Sequence, residues 1–153
     1  MRLIVAVVGK PRHDSIAAAI QDYEERARRY WPLEVVEVRD EPARASNPGV
    51  VRRREGERLA TAIGGARVIA CEVGGRRMSS PEFAGWVQGL REAAADVAFV
   101  IGGPFGLADE LSQRATARVS FSSWTLPHEL ARLVLAEQLY RAGTIVRGEP
   151  YHK

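Results

Sequence analysis

The residues best suited to chemistry fall in three stretches of the second half of the chain. The first is Ile101-Gly102-Gly103-Pro104-Phe105-Gly106, an apolar run that breaks into glycines and then a helical pattern. Glycine permits positive φ and lets backbone or ligand approach without a Cβ in the way. A dinucleotide fingerprint needs Gly-x-Gly-x-x-Gly after a strand, and Gly102, Gly103 and Gly106 have the wrong spacing. Pro104 also removes an amide that would otherwise bind phosphate. The stretch reads either as a ligand site of another kind or as an architectural strand-to-helix corner.

The second stretch, Ser120-Phe121-Ser122-Ser123-Trp124-Thr125-Leu126-Pro127-His128, mixes small hydroxyls with large apolar side chains. Hydroxyls and open backbone suit the polar edge of an adenine, and Phe121, Trp124 and Leu126 suit its faces. Helix capping and core packing are the competing reading. The third is the tail Arg147-Gly148-Glu149-Pro150-Tyr151-His152-Lys153, whose aromatic ring, imidazole and cations can stack on a base and contact phosphate. Its alternative is a frayed terminus. His13, His128 and His152 are scattered and Cys71 is alone, so no zinc spacing exists and no metal is expected. No Gly-x-Ser-x-Gly elbow places a serine nucleophile.

Positioning these stretches requires an alternating α/β chain. Strands are predicted at Leu3–Val8, Leu33–Val38, Val68–Val73, Val97–Ile101 and Val119–Phe121, with Val and Ile content suited to burial on both faces. Helices are predicted at Ser15–Arg29, Gly49–Ala62, Pro81–Ala94, Leu107–Ala115 and Pro127–Ala142. Ser80 is the expected cap of the third, with Pro81 opening it, and Thr125 or Leu126 that of the last. Arg39 to Pro48 is polar, holds two prolines and has no period, so it reads as a surface loop. In the last helix, Leu130, Leu133, Val134, Leu135, Leu139 and Tyr140 form a face broader than a surface helix needs, which points to a dimer contact or to interior burial. Glu137 lies among them and needs a partner if buried, for which an arginine across the interface is the expectation.

With 153 residues, 46% hydrophobic and 27% charged, the chain suits one domain with one core. No run approaches the ~20 apolar residues of a membrane helix, and a lone cysteine excludes an intrachain disulfide framework, so a reducing cytoplasm is expected. The formal charge is +3, and 20 of the 22 basic residues are arginine, whose fork matches phosphate. Arg52-Arg53-Arg54 reads as a solvated helix face or as a phosphate contact.

Read together, Val8-Gly9-Lys10, Ile101 to Leu107, Phe121 to His128, Glu137-Gln138-Leu139-Tyr140-Arg141-Ala142 and the closing Pro150-Tyr151-His152-Lys153 resemble one family over essentially the whole chain. They are similar to the bacterial pseudouridine N3-methyltransferases of 23S (large-subunit) ribosomal RNA, minimal members of the SPOUT class. The resemblance implies an α/β fold with a mostly parallel sheet flanked by helices and a C-terminal trefoil knot. It implies a cytoplasmic homodimer that uses S-adenosyl-L-methionine and acts on ribosomal RNA, with the assembled ribosome as the expected substrate. Carried over by motif, Cys71, Gly102, Phe121, Ser122, Ser123, Trp124, Thr125 and Leu126 surround the cofactor. Family members often have leucine in place of Cys71, a change that only a backbone contact survives. On the substrate side the implied residues are Arg141, Tyr151 and His152, with His152 as proton acceptor and the tail completing the partner's pocket. The rival reading is a non-catalytic RNA-binding protein of ribosome assembly.

Overall fold

The computed structural model describes residues 1–42 and 47–153. The described residues form β1 (Leu3–Val8), α1 (Asp14–Ala27), β2 (Leu33–Val38), α2 (Pro48–Ile63), β3 (Arg67–Arg76), α3 (Ser80–Glu92), β4 (Val97–Val100), α4 (Asp109–Arg114), β5 (Ala117–Val119) and α5 (His128–Val146). The sheet order is β2-β1-β4-β3-β5, and every pairing is parallel. Every residue of β1 and β4 is buried, as expected for inner strands covered on both faces.

Side-chain alternation divides the core in two. Leu3, Val5 and Val7 of β1 and Val97 and Phe99 of β4 face α1, α3 and α5. Ile4, Ala6, Val8, Ala98 and Val100 face α2 and α4, where Leu59, Ile63 and Leu111 complete the second layer. Because α3 after β3 and α4 after β4 cover opposite faces, a crevice opens between the carboxyl ends of those adjacent strands, the usual ligand position in an open α/β sheet.

The long helix α5 is held against α1 by specific contacts. Trp31 Nε1 donates to the Leu139 carbonyl at 2.7 Å. Gly143 admits the Tyr30 ring so closely that a Cβ there would overlap Tyr30 Cγ. Leu135 and Leu139 are fully buried and Leu130 remains exposed, so much of the broad apolar face of α5 belongs to the subunit interior.

Several boundaries differ from the sequence expectation for local reasons. Ser79, not Ser80, caps α3: Ser79 Oγ accepts from the Glu82 N–H, and Glu82 Oε2 accepts from the Ser79 N–H. Only Ser79 has a glutamate three residues on to complete that reciprocal pair. Ser80 Oγ donates instead to Gln138 on α5 at 2.7 Å. Neither Thr125 nor Leu126 caps α5; Pro127 takes the cap position without a side-chain bond, and the helix continues to Val146. Of the expected loop at 39–48, residues 43–46 lie outside the described residues. Asn47 caps α2 by accepting from the Val50 N–H at 2.9 Å, and Pro48 opens that helix.

Strand β3 runs three residues beyond Val73, and its pairing with β5 slips: Val119 is matched with both Cys71 and Arg76. The extra residues bow out of the ladder, as in a β-bulge. Gly75 returns the strand to β5, where a Cβ would lie 2.5 Å from the Val119 carbonyl carbon. The bow delivers Cys71, Glu72 and Val73 to the crevice.

Candidate functional site: a cleft at the sheet crevice and a distal tail cluster

Three chain segments wall a cleft of about 600 Å³: the β3 bow, the turn after β4 and the loop entering α5. A smaller lobe of about 70 Å³ shares Cys71, Glu72, Val73, Leu126 and Ala131 with it and adds Phe121, Ser122 and Trp124. The volume lies within the range of small-ligand sites, roughly 300–1,000 Å³.

The turn after β4 is closed by its own backbone. The Gly106 N–H donates to the Gly103 carbonyl at 2.9 Å, and Gly106 has φ +89°. A Cβ on Gly102 would overlap the Gly106 backbone. The close approach that demands glycine at Gly102 is therefore the turn packing on itself, while Gly102 still lines the cleft.

In the loop before α5, Ser120 Oγ donates to the Ser122 carbonyl at 2.8 Å, and Ser122 Oγ accepts from the Trp124 N–H at 2.9 Å. These two hydroxyls shape the loop, as serines do in turns. Trp124 keeps 79% of its surface exposed. Cys71, Gly102, Phe121, Ser122, Trp124, Thr125 and Leu126 thus converge on the cleft and its lobe, and Ser123 is exposed outside the lining.

The candidate stretches and site set left out the lining residues Glu72, Val73 and Ala131, and gave His128 no role of its own. Glu72 Oε1 accepts from Ser112 Oγ at 2.6 Å and lies 3.5 Å from Arg118 Nε, so a carboxylate faces an otherwise largely apolar cleft. An acid at a strand's carboxyl end was the available signal. His128, the first residue of α5, stands at the same mouth. Burial pushes the Cys71 thiol above its ordinary value and the Glu72 charge adds to that, against a backbone hydrogen bond involving Val100. The neutral thiol is a poor nucleophile and serves as apolar wall.

A second cluster forms on the far half of α5. Arg141 Nη2 and Nε donate to Glu137 Oε1 at 2.7 and 3.0 Å, and Nη1 lies 3.2 Å from His152 Nδ1. The guanidinium sits 4.7 Å from the Tyr151 ring centre. Tyr151 O–H donates to Glu137 Oε1 at 3.1 Å, and its ring lies 4.6 Å from that of Tyr140. Burial, hydrogen bonds involving Tyr23 and Glu137, and the Glu137 charge push the Tyr151 phenol up, so it stays neutral. Glu137 finds an arginine in its own helix one turn away, because the i,i+4 spacing brings Arg141 onto it.

Arg141, Tyr151 and His152 are therefore brought together, but away from the cleft of the same subunit. Ala131, the lining residue farthest along α5, is ten residues from Arg141, about 15 Å of helical rise at about 1.5 Å per residue, and Glu137, on which the Arg141 and Tyr151 side chains meet, stands between them. Among the described residues no group of three His, Cys, Asp or Glu side chains is placed to hold a metal. Among the described residues no helix is long and apolar enough to cross a membrane.

A parallel sheet with a ligand cleft built from the turn after β4 and the loop before the last helix matches a known class over its length. The chain belongs to the SPOUT methyltransferase family: the family model described as "Predicted SPOUT methyltransferase" matches residues 1–152. Among curated relatives, the chain is 56% identical to the "Ribosomal RNA large subunit methyltransferase H" of Gemmatimonas aurantiaca, with all of both chains aligned. The protein of the same name from Geobacter sulfurreducens is 42% identical over 99% of each chain. Among solved structures, a probable methyltransferase from Bordetella pertussis superposes with a TM-score of 0.55 at 16% identity, covering 92% of this chain and 95% of that one. A probable methylase family protein from Haemophilus influenzae gives 0.53 at 12% identity, covering 99% and 70%. At such identities the two structures bear on the fold alone.

Proposed function

We propose that this protein methylates N3 of a pseudouridine in the 23S ribosomal RNA of the large subunit, using S-adenosyl-L-methionine and acting in the cytoplasm on the assembled ribosome. The observation that carries the reading is the cleft at the β3–β4 crevice, in a chain that aligns end to end with relatives named as methyltransferases of large-subunit ribosomal RNA.

The cleft fits the cofactor in its chemistry. Phe121, Leu126 and Cys71 offer apolar walls for an adenine, the backbone of the 102–106 turn and the 121–126 loop offers polar partners for its edge, and Glu72 offers a carboxylate to a cationic ligand. When bound, S-adenosyl-L-methionine supplies a methyl group activated on a sulfonium. The knot implied by the family is part of the same proposal.

The imide N3 of the substrate must lose its proton to become nucleophilic, so the protein must favour the anion and align it. Arg141, held by Glu137, supplies a fixed positive charge. Arg141 Nη1 lies 3.2 Å from His152 Nδ1, which holds the imidazole beside the guanidinium, where it can accept the imide proton or donate to the anion's oxygen. Tyr151, neutral and stacked, positions a base.

The separation of this cluster from its own cleft supports a homodimer in which one subunit's tail serves the other's cofactor. Exposed Trp124 and Val73 at the cleft and Leu130 on α5 provide apolar surface for such a contact. The test is mass spectrometry of 23S ribosomal RNA from a deletion strain and from the complemented strain. One pseudouridine is expected to lose a methyl group and to regain it on complementation. An unchanged set of modifications overturns the proposal.

A further inference from the structure

At the end of the sheet opposite the cleft, the carboxyl ends of α1, α3 and α5 converge around a groove of about 550 Å³. Arg28, Arg29, Arg91 and Arg147 line it, all exposed. None of the four is in an ion pair with a carboxylate among the described residues. The acids around the groove are already engaged: Arg2 holds Glu34 and Asp96, and Glu149 accepts from Tyr30 O–H at 2.5 Å.

Arginines at helix carboxyl ends are ordinarily explained by the helix dipole. That explanation covers part of the charge. Three helix ends present roughly half a negative charge each against four guanidinium charges, and with Glu149 and one of the two carboxylates on Arg2 still charged the surroundings of the groove remain slightly positive. The direct capping bonds are also few: Arg91 Nη1 donates to the Tyr30 carbonyl at 3.4 Å and Arg147 Nη2 to the Arg29 carbonyl at 3.2 Å. Each guanidinium has five N–H donors, so most remain open to a ligand. Arg147 lies 4.6 Å from the Tyr30 ring centre and Arg91 lies 5.9 Å from that of Trp31, so two of the forks are held on aromatic faces in advance of binding.

We infer that this groove binds the phosphodiester backbone of the RNA substrate, as a contact surface separate from the cofactor cleft. Guanidinium forks match phosphate oxygens in pairs, and the proposed ribosomal RNA substrate presents phosphates in series along its backbone. The Tyr30–Glu149 bond ties the rim of the groove to the segment that carries Tyr151 and His152. A strand lying in the groove is thereby led toward the tail. This inference rests on the proposed RNA methyltransferase function.

The experiment is a salt titration of binding between the full-length protein and a protein-free transcript of large-subunit ribosomal RNA, read by fluorescence anisotropy. In the double variant Arg29→Glu/Arg147→Glu, affinity should fall by about tenfold or more, and the slope of log K against log salt should shrink by roughly 0.7–0.9 for each phosphate that is no longer neutralised. Arg29→Lys/Arg147→Lys retains the charge and should recover most of the affinity; it also reports if the glutamate variant fails to fold. Calorimetric binding of S-adenosyl-L-methionine should be unchanged in both. Equal affinity and slope in wild type and glutamate variant overturn the inference. So does a loss confined to assembled subunits with protein-free RNA unaffected, which would make the groove a protein-docking surface. A wild type that binds the RNA through the groove and never methylates it overturns the functional proposal and leaves the groove standing.

Discussion

Arg132 on α5 and Glu24 on α1 form a buried ion pair, with Arg132 Nε 2.8 Å from Glu24 Oε1 and both side chains 8% exposed. A second carboxylate, Glu37 on β2, accepts from Arg132 Nη1 at 3.0 Å. Burial works against the guanidinium charge, but the hydrogen bonds and charges of Glu24 and Glu37 prevail, so Arg132 stays protonated. One arginine thus ties the long helix to α1 and to the sheet edge.

Truncating it should be costly. Arg132→Ala leaves Glu24 buried without its partner, and breaking such a pair costs about 3–5 kcal/mol. Urea unfolding should register that loss, and the double variant Arg132→Met/Glu24→Leu should recover most of it, since an apolar pair needs no compensation. A single-variant loss below about 1 kcal/mol would place the pair with weakly contributing surface bridges.

Acid behaviour should carry two opposing signatures. Glu55 on α2 is buried against Gly103 of the cleft turn, and its Oε1 has no hydrogen-bond partner among the described residues. Burial raises its pKa above the ordinary 4.5, and the charges of Asp40 and Glu41 add to that, against the Glu41 N–H bond and Arg58. A raised carboxyl favours the protonated fold, so this stability is complete below 4.5 and declines as pH rises through the folded value. Glu41 is the reverse: hydrogen bonds from Arg58 and then Arg54 lower it, so its contribution is present above 4.5 and lost as pH falls through its lowered value. In urea unfolding across pH, Glu55→Gln should flatten the decline above 4.5, and Glu41→Gln should flatten the acid limb. A wild-type-like decline in Glu55→Gln would assign that slope to other groups.

How much of this could be read beforehand depends on the range of the interactions. Leu3–Val8 is apolar at every position, and that local fact alone placed β1 correctly to the residue. The loop from Ser120 to His128 was legible as a cleft wall because its aromatics and hydroxyls are contiguous. Glu72 and His128 were not, because they enter the cleft through the slipped β3–β5 pairing and the return of α5, both set by tertiary contacts. The partner of Glu137 was legible in principle: Arg141 stands four residues on, and the expectation of a distant arginine overlooked helical spacing. The carry-over of Arg141, Tyr151 and His152 as a set agreed with their clustering, but no one-dimensional pattern could show the helix length that keeps them from their own cleft.

Cys71 gives a direct test of how the cleft wall is used. Its neutral thiol offers little beyond shape, so Cys71→Leu should bind S-adenosyl-L-methionine within about threefold of wild type by calorimetry, a volume-tolerant apolar exchange. Cys71→Asp, which sets a second carboxylate beside Glu72 in an apolar wall, should weaken binding about tenfold or more through unpaired burial of charge. A tenfold loss in the leucine variant would mean that the sulfur itself contacts the ligand.

The placement of the tail makes the sharpest prediction, because activity in cis and in trans can be separated by mixing. Removing Tyr151 to Lys153 deletes the stacked ring and the imidazole while leaving the cleft residues in place. Gly102→Val forces a side chain into Gly106 backbone that a Cβ alone would already overlap, closing the cofactor turn while leaving the tail intact. Each variant alone should be inactive, at about 1% of wild type or less, since effects of positioning groups reach two orders of magnitude. If one subunit's tail serves the other's cleft, a mixed dimer contains one site with an intact cleft and an intact tail. Random reassociation of equal amounts makes half the dimers mixed, so activity should return to about a quarter of wild type. Melting curves and calorimetry on the truncated chain establish that it folds and binds cofactor. No recovery on mixing, with exchange verified by mass spectrometry of the intact dimers, would assign tail and cleft to the same subunit and require the tail to shift along α5 from Glu137 toward Ala131 at the cleft.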